Sequence, residues 1–262
     1  MEWHDDGIVL TARKHGESGT IVTLLTREHG RYAGLVRGGM SKRTRGLFER
    51  GNRVKATWKA RLAEHLGSFS CEMTSAVAAP FMNDELRLVA LSAGCTVAET
   101  ALPEREPFKP VYEGLDILIH ALNRDIWPTI YVKWELGLLQ ELGFKLDLSC
   151  CAATGKTTNL NYVSPKSGRA VSEQAAKPFK HLLLRLPSFL ITPSKTASWV
   201  DILHGLQLTG FFLERQVFHH GLKSTQPMAR QRLTNLIKNK VNNYTEKVAT
   251  VGGAKNLYDS TD

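Results

Sequence analysis

RVKATWKARL, residues 53–62, is the stretch that decides the fold. Val54, Ala56, Trp58, Ala60 and Leu62 alternate with Arg53, Lys55, Thr57, Lys59 and Arg61. A period of two sorts these residues onto opposite faces only in an extended strand, so one face is apolar and the other basic. Working outward, GIVLTAR (7–13), TIVTLLT (20–26), RYAGLVR (31–37) and SFSCEMTSAV (68–77) have the same β-branched and aromatic character. They are separated by HGESG, EHG and the glycine-containing loop RGGMSKRTRG, residues 37–46, all turn-forming sequences. Five short strands in succession predict a small barrel over residues 1–80.

The strand and loop are also where the charge concentrates. The 262 residues carry 34 Lys and Arg against 25 Asp and Glu, a net charge of +9. Residues 31–61 alone hold ten cations (Arg31, Arg37, Lys42, Arg43, Arg45, Arg50, Arg53, Lys55, Lys59 and Arg61) against the single acid Glu49, or 10 − 1 = +9. Same-face cations on a strand stand about 7 Å apart, comparable to the spacing of phosphates on a polynucleotide. A dense basic segment beside near-neutral ones is the footprint of a polyanion binder, although a solvated basic surface or a lysine-protected edge strand gives the same pattern. No helix with the character of a major-groove reader accompanies it, so the loop suits an irregular single strand better than sequence-specific duplex readout. Trp58 shares the parity of the apolar face and reads as core; Tyr32 and Phe48 are open to either role.

After Pro80 the period becomes helical. Leu86, Val89, Ala90, Ala93 and Val97 form one stripe behind a cap at Asn83, and Val111, Leu115, Leu118, Ile119 and Leu122 form a second. A third helix runs from Pro128, with Val132, Leu136, Leu139 and Leu142 as its stripe and Gly143 past its end. Residues 144–171 lack periodicity and predict a hairpin-like insertion. Helices resume near Ser172 and over 194–219, giving a helical domain of 81–240, and the polar residues 241–262 predict a disordered tail. The fold class is therefore α+β.

Composition and motifs narrow the chemistry. An apolar content of 42% with 23% charged residues is that of a globular chain, and neither a secretory leader nor an apolar stretch of membrane-spanning length is visible. We expect a cytoplasmic protein whose four cysteines, Cys71, Cys95, Cys150 and Cys151, are reduced. Gly155-Lys156-Thr157 imitates the end of a phosphate-binding loop, but Cys150 stands where its first glycine is required. Cys150 and Cys151 have no second close cysteine pair to complete a zinc site. Nucleophile elbows, zinc-binding His-Glu helices and paired-carboxylate motifs are absent from the sequence. The residues thus read as a non-enzymatic nucleic-acid binder needing no cofactor and no metal. An RNA-binding barrel, a nucleic-acid-modifying enzyme and a scaffold for acidic peptides are its rivals.

Several segments carry a more specific signal in order along the chain. KHGESGTIVTLLTREHGRYAGLVRGGMSKRTRG (14–46), WELGLLQELGF (134–144), LSCCAATGK (148–156), SPKSGRAVS (164–172) and LPSFL (186–190) together resemble the RecO family of bacterial DNA-repair proteins. The resemblance implies an N-terminal OB-fold barrel, then a mainly helical domain with a small zinc-finger-like insertion. It implies binding of single- and double-stranded DNA and annealing of strands coated with single-stranded-DNA-binding protein (SSB). It also implies cooperation with RecR in loading RecA, without nucleotide hydrolysis and in association with the nucleoid during repair.

Lys42 and Arg43 match the family's basic pair after the glycines, Arg37 the basic position before them, and Arg31 follows its Gly-Arg turn. With Arg45, Arg53, Lys55, Lys59 and Arg61 these are the candidate DNA contacts. Lys133 and Trp134 match a basic-aromatic position implied to hold the acidic, Phe-ended SSB tail, although the helical pattern also allows Trp134 to be core. Zinc-containing relatives have Cys-x-x-Cys-Gly and a later cysteine pair. Here Thr154 takes the second position, and Ser172 and Ala175 stand at the later pair, so the metal ligands are missing.

Overall fold

The computed structural model describes residues 1–39, 44–192, 197–218 and 226–255. Strands β1 (Glu2–His15), β2 (Gly19–Thr26), β3 (Gly30–Arg37), β4 (Arg53–Lys59) and β5 (Ser68–Ser75) close a barrel in the order β1-β2-β3-β5-β4. The long β1 serves two neighbours, pairing with β4 over Glu2–Ile8 and with β2 over Gly7–His15, and a bulge between Val9 and Thr11 breaks its register. A parallel contact, Leu35 opposite Ser68, joins β3 to β5. A five-stranded barrel of this kind is the OB-fold architecture.

The alternation along β4 holds. Val54, Ala56 and Trp58 point into a core shared with Val22, Leu24, Tyr32 and Phe69, while Lys55 and Lys59 are exposed. Trp58 donates its indole N–H to the Leu66 carbonyl at 3.0 Å. Gly67 lies beside that ring with φ +66°, and a Cβ there would come within 2.4 Å of it, so glycine is required for both conformation and space. Tyr32 and Phe48 are likewise buried in the barrel core.

Three helices follow: α1 (Glu85–Ala101), α2 (Lys109–Ala121) and α3 (Trp127–Glu141). The cap of α1 is Asp84 rather than Asn83; its carboxylate accepts the Arg87 backbone N–H at 3.0 Å and also pairs with the Arg87 guanidinium at 2.7 Å. Gly143, at φ +88°, follows the end of α3. The buried face of α3 differs from the expected stripe. Leu136 and Leu142 are only half-buried, and the face passes through Tyr131, Trp134, Glu135 and Leu138. A carboxylate can lie there because Arg230 reaches it, as described below.

The chain packs into two compact units, Met1–Asp147 with Thr209–Gln231, and Leu148–Leu208 with Arg232–Asp262. In the second, β6 (Leu160–Val163) lies between β7 (Ala170–Ser172) and β8 (Leu184–Arg185), with the short helix α4 (Glu173–Ala176) following β7. The β6–β7 pair is the hairpin of the insertion. Its Cys151 Sγ accepts the Ser172 backbone N–H at 3.3 Å. Burial pushes the Cys151 thiol up, but hydrogen bonds from Ser172, Thr154 and the Ala153 backbone outweigh it and hold the pKa below its ordinary value. A zinc site does not fit these residues, since no three His, Cys, Asp or Glu side chains gather among the described residues.

Helices α5 (Trp199–Leu213) and α6 (Met228–Lys255) complete the fold. The backbone of α6 continues well past residue 240, where composition suggests a disordered tail; from Met228 the sequence meets no Pro at all and no Gly before Gly252. In the first unit, Arg230 donates to Glu135 through Nε at 2.6 Å and Nη2 at 2.8 Å. Thr209 donates to the same carboxylate at 2.5 Å. No helix among the described residues is long and apolar enough to cross a membrane.

Candidate nucleic-acid interface

The basic face of β4 is divided by its neighbours in the sheet. Register sets Glu2 opposite Lys59, Asp6 opposite Lys55 on one side and Glu72 opposite Lys55 on the other. Lys59 Nζ pairs with Glu2 at 2.9 Å. Arg53 turns to α2, donating to Asp116 Oδ1 at 2.5 Å and to His120 Nδ1 at 2.7 Å. Arg31 likewise donates to the Leu102 carbonyl at 2.8 Å and to Glu104 at 3.2 Å. Arg31 and Arg53 therefore fasten the barrel to the helices of its own unit. Lys55 and Arg61 are exposed and make no ion pair among the described residues.

Arg37 has a different setting. It ends β3, is exposed, and lies opposite Gly19, which itself faces His15 across the β1–β2 hairpin. Two residues earlier, the Leu35 N–H donates to the Gly67 carbonyl at 3.0 Å, at the end of the β4–β5 loop. Arg37 thus stands beside the β1–β2 loop, which together with the β4–β5 loop commonly holds oligonucleotides in OB-folds. Arg61 lies in the second of them. Lys42 and Arg43 are outside the described residues, as is the side chain of Arg45.

Two residues that composition did not single out lie beside these loops, one at each. Arg105, with φ +62°, sends its guanidinium to the carbonyls of Ala63, Glu64 and His65, and so holds the β4–β5 loop. It also lies 5.0 Å over the ring of Tyr32. Lys14 falls outside the basic 31–61 window, but the hairpin register sets it opposite Thr20, whose other neighbour is Val36. Sequence distance hides both; only the repeated Gly-centred hairpin signal around HGESG pointed toward Lys14.

The aromatic side chains of the barrel do not form a stacking platform. Trp3, Tyr32, Trp58 and Phe69 pack on one another with centroids 5.0–5.9 Å apart. Exposed cations at loop ends, without exposed rings beside them, suit contacts to a phosphate backbone rather than to bases.

A second feature of the same unit lies between α2 and α3. An apolar groove of about 450 Å³ is bounded by Pro110, Gly114, Ile117, Ile130, Lys133 and Trp134. Lys133 is exposed, and Ile117 remains 58% exposed. Trp134 is core by burial, at 5% exposed, and also forms part of the groove wall. Gly114 makes room for it, since a Cβ would meet the indole at 3.0 Å. The helix spacing brings Lys133 and Trp134 to one groove.

These features define a class: an OB-barrel protein with cationic loops, joined to a helical bundle that carries an apolar groove. Residues 1–76 match the family model described as recombination protein O N terminal, and residues 82–226 match recombination protein O C terminal. Among relatives called DNA repair protein RecO, that of Rhodospirillum centenum is 50% identical over 238 residues, covering 90% of this chain and 94% of the relative. That of Rhodospirillum rubrum is 46% identical over 245 residues, covering 91% and 97%, and that of Caulobacter vibrioides 46% over 219, covering 83% and 90%. The chain belongs to the RecO family.

Proposed function

We propose that this chain acts in DNA repair as a non-catalytic recombination mediator. The barrel loops around Arg37 hold the phosphates of single- or double-stranded DNA, and the α2–α3 groove takes the acidic tail of SSB. Complementary strands still coated with SSB are then annealed, and with RecR the exposed strand is passed to RecA. Binding energy suffices for these steps, so neither nucleotide nor metal enters them. The setting is the cytoplasm, at the nucleoid.

The observation that carries mediation, over DNA binding alone, is the groove. An acidic peptide ending in an aromatic residue needs an apolar slot with a cation at its edge, and Lys133 stands at the edge of a slot lined by Ile117 and Trp134. The test is annealing of complementary oligonucleotides precoated with the cognate SSB, with no nucleotide added. Wild-type protein is expected to accelerate annealing, whereas Lys133→Ala is expected to lose that advantage while still binding naked DNA. If SSB lacking its tail is remodelled just as fast, the groove assignment fails.

A further inference from the structure

Beside the β1–β2 hairpin, a cavity of about 460 Å³ opens between the barrel wall and α1. Lys14 and Thr20 line it from the hairpin, Glu49 and Arg50 from the segment entering β4, and Leu91 and Ser92 from α1. Arg50 is fixed in place, donating to the Leu10 carbonyl at 3.2 Å and to Ser92 Oγ at 3.1 Å. Lys14 and Glu49 are exposed, and neither makes an ion pair among the described residues. The buried Thr20 hydroxyl has no hydrogen-bond partner there.

Opposite charges left unpaired around one cavity call for a ligand with both an anionic end and a hydrogen-donating end. An apolar side chain such as Leu91 adds a surface for something flat. A nucleotide meets all three demands: its phosphate accepts from Lys14 and Arg50, its base lies against the apolar wall, and an exocyclic amino group donates to the Glu49 carboxylate. The volume is within the range of roughly 300–1,000 Å³ common for small-molecule sites.

We propose that this cavity receives one unstacked nucleotide of a bound single strand and takes cytosine in preference to thymine, which has no exocyclic amino group. The inference rests on the nucleic-acid reading above. It adds base selectivity to an interface that otherwise meets only phosphates.

The test compares binding of fluorescent oligo-dC and oligo-dT of equal length to the full chain. Wild-type protein is expected to favour oligo-dC by about tenfold, as befits one hydrogen bond to a charged acceptor. Glu49→Ala is expected to erase that preference while raising affinity for oligo-dT, because an anion leaves the phosphate path. Lys14→Ala is expected to weaken both oligonucleotides and lower the salt slope by about 0.7. Both substitutions are at exposed positions, and an unchanged thermal melt confirms that each variant folds. Wild-type binding without a dC preference, or a preference that survives Glu49→Ala, overturns the inference and leaves DNA binding standing. Failure to bind either oligonucleotide overturns both.

Discussion

Arg230 shows how one residue can decide a helix face. Its side chain and that of Glu135 are 2% and 0% exposed, and the guanidinium grips the carboxylate through two nitrogens. Gly210 makes the approach possible, because a Cβ there would fall 2.7 Å from Nη1. Removing one member of a buried pair leaves the other charged and desolvated, at a cost of about 3–5 kcal/mol. Arg230→Ala is therefore expected to lower stability by that amount in denaturant titration. The double replacement Glu135→Leu with Arg230→Met should recover much of the loss, since no charge then remains in the core. The sequence concealed this pair: Glu135 looks like an ordinary surface acid on α3, and its partner lies 95 residues further on.

At the scale of the element, β4 shows what periodicity reveals and what it omits. The sorting of Val54, Ala56 and Trp58 from Lys55 and Lys59 was legible, because side-chain parity is a local property of extended backbone. Whether those cations are available is set by neighbouring strands and helices. Glu2 and Glu72 arrive through sheet register, and Asp116 through a contact spanning 63 residues. Salt dependence of binding separates the two kinds of arginine. Arg37→Ala is expected to flatten the log-log slope for single-stranded DNA by about 0.7 with little change in melting temperature. Arg53→Ala, which breaks the Asp116 contact, should lower the melting temperature and leave the slope nearly unchanged. If Arg53→Ala flattened the slope as much as Arg37→Ala, the ion pair would have to open on DNA.

On the scale of the whole molecule, the barrel and the helical class were readable from turn spacing and hydrophobic period, as was the lack of a second cysteine pair. The cap at Asp84, the face of α3 and the course of α6 past residue 240 were not, because each depends on partners or propensities that a stripe of apolar residues does not record. The insertion offers a test of its metal-free construction. With Cys151 Sγ held by the Ser172 backbone N–H, prolonged dialysis against EDTA is expected to leave the melting temperature unchanged, and elemental analysis should find no stoichiometric zinc. A drop in melting temperature reversed by zinc would contradict that construction.

The discontinuous first unit also has a consequence for biosynthesis. Its core takes Glu135 from the middle of the sequence and Arg230 from 95 residues further on. At roughly 5–20 residues per second, a ribosome needs several seconds or more to translate from one to the other. The barrel strands, complete by Ser75, can pair on the nascent chain meanwhile, but the carboxylate on α3 has no guanidinium to receive it until Arg230 has left the exit tunnel. A message broken within that interval would yield a chain that has every barrel strand but a Glu135 carboxylate with no guanidinium to pair with.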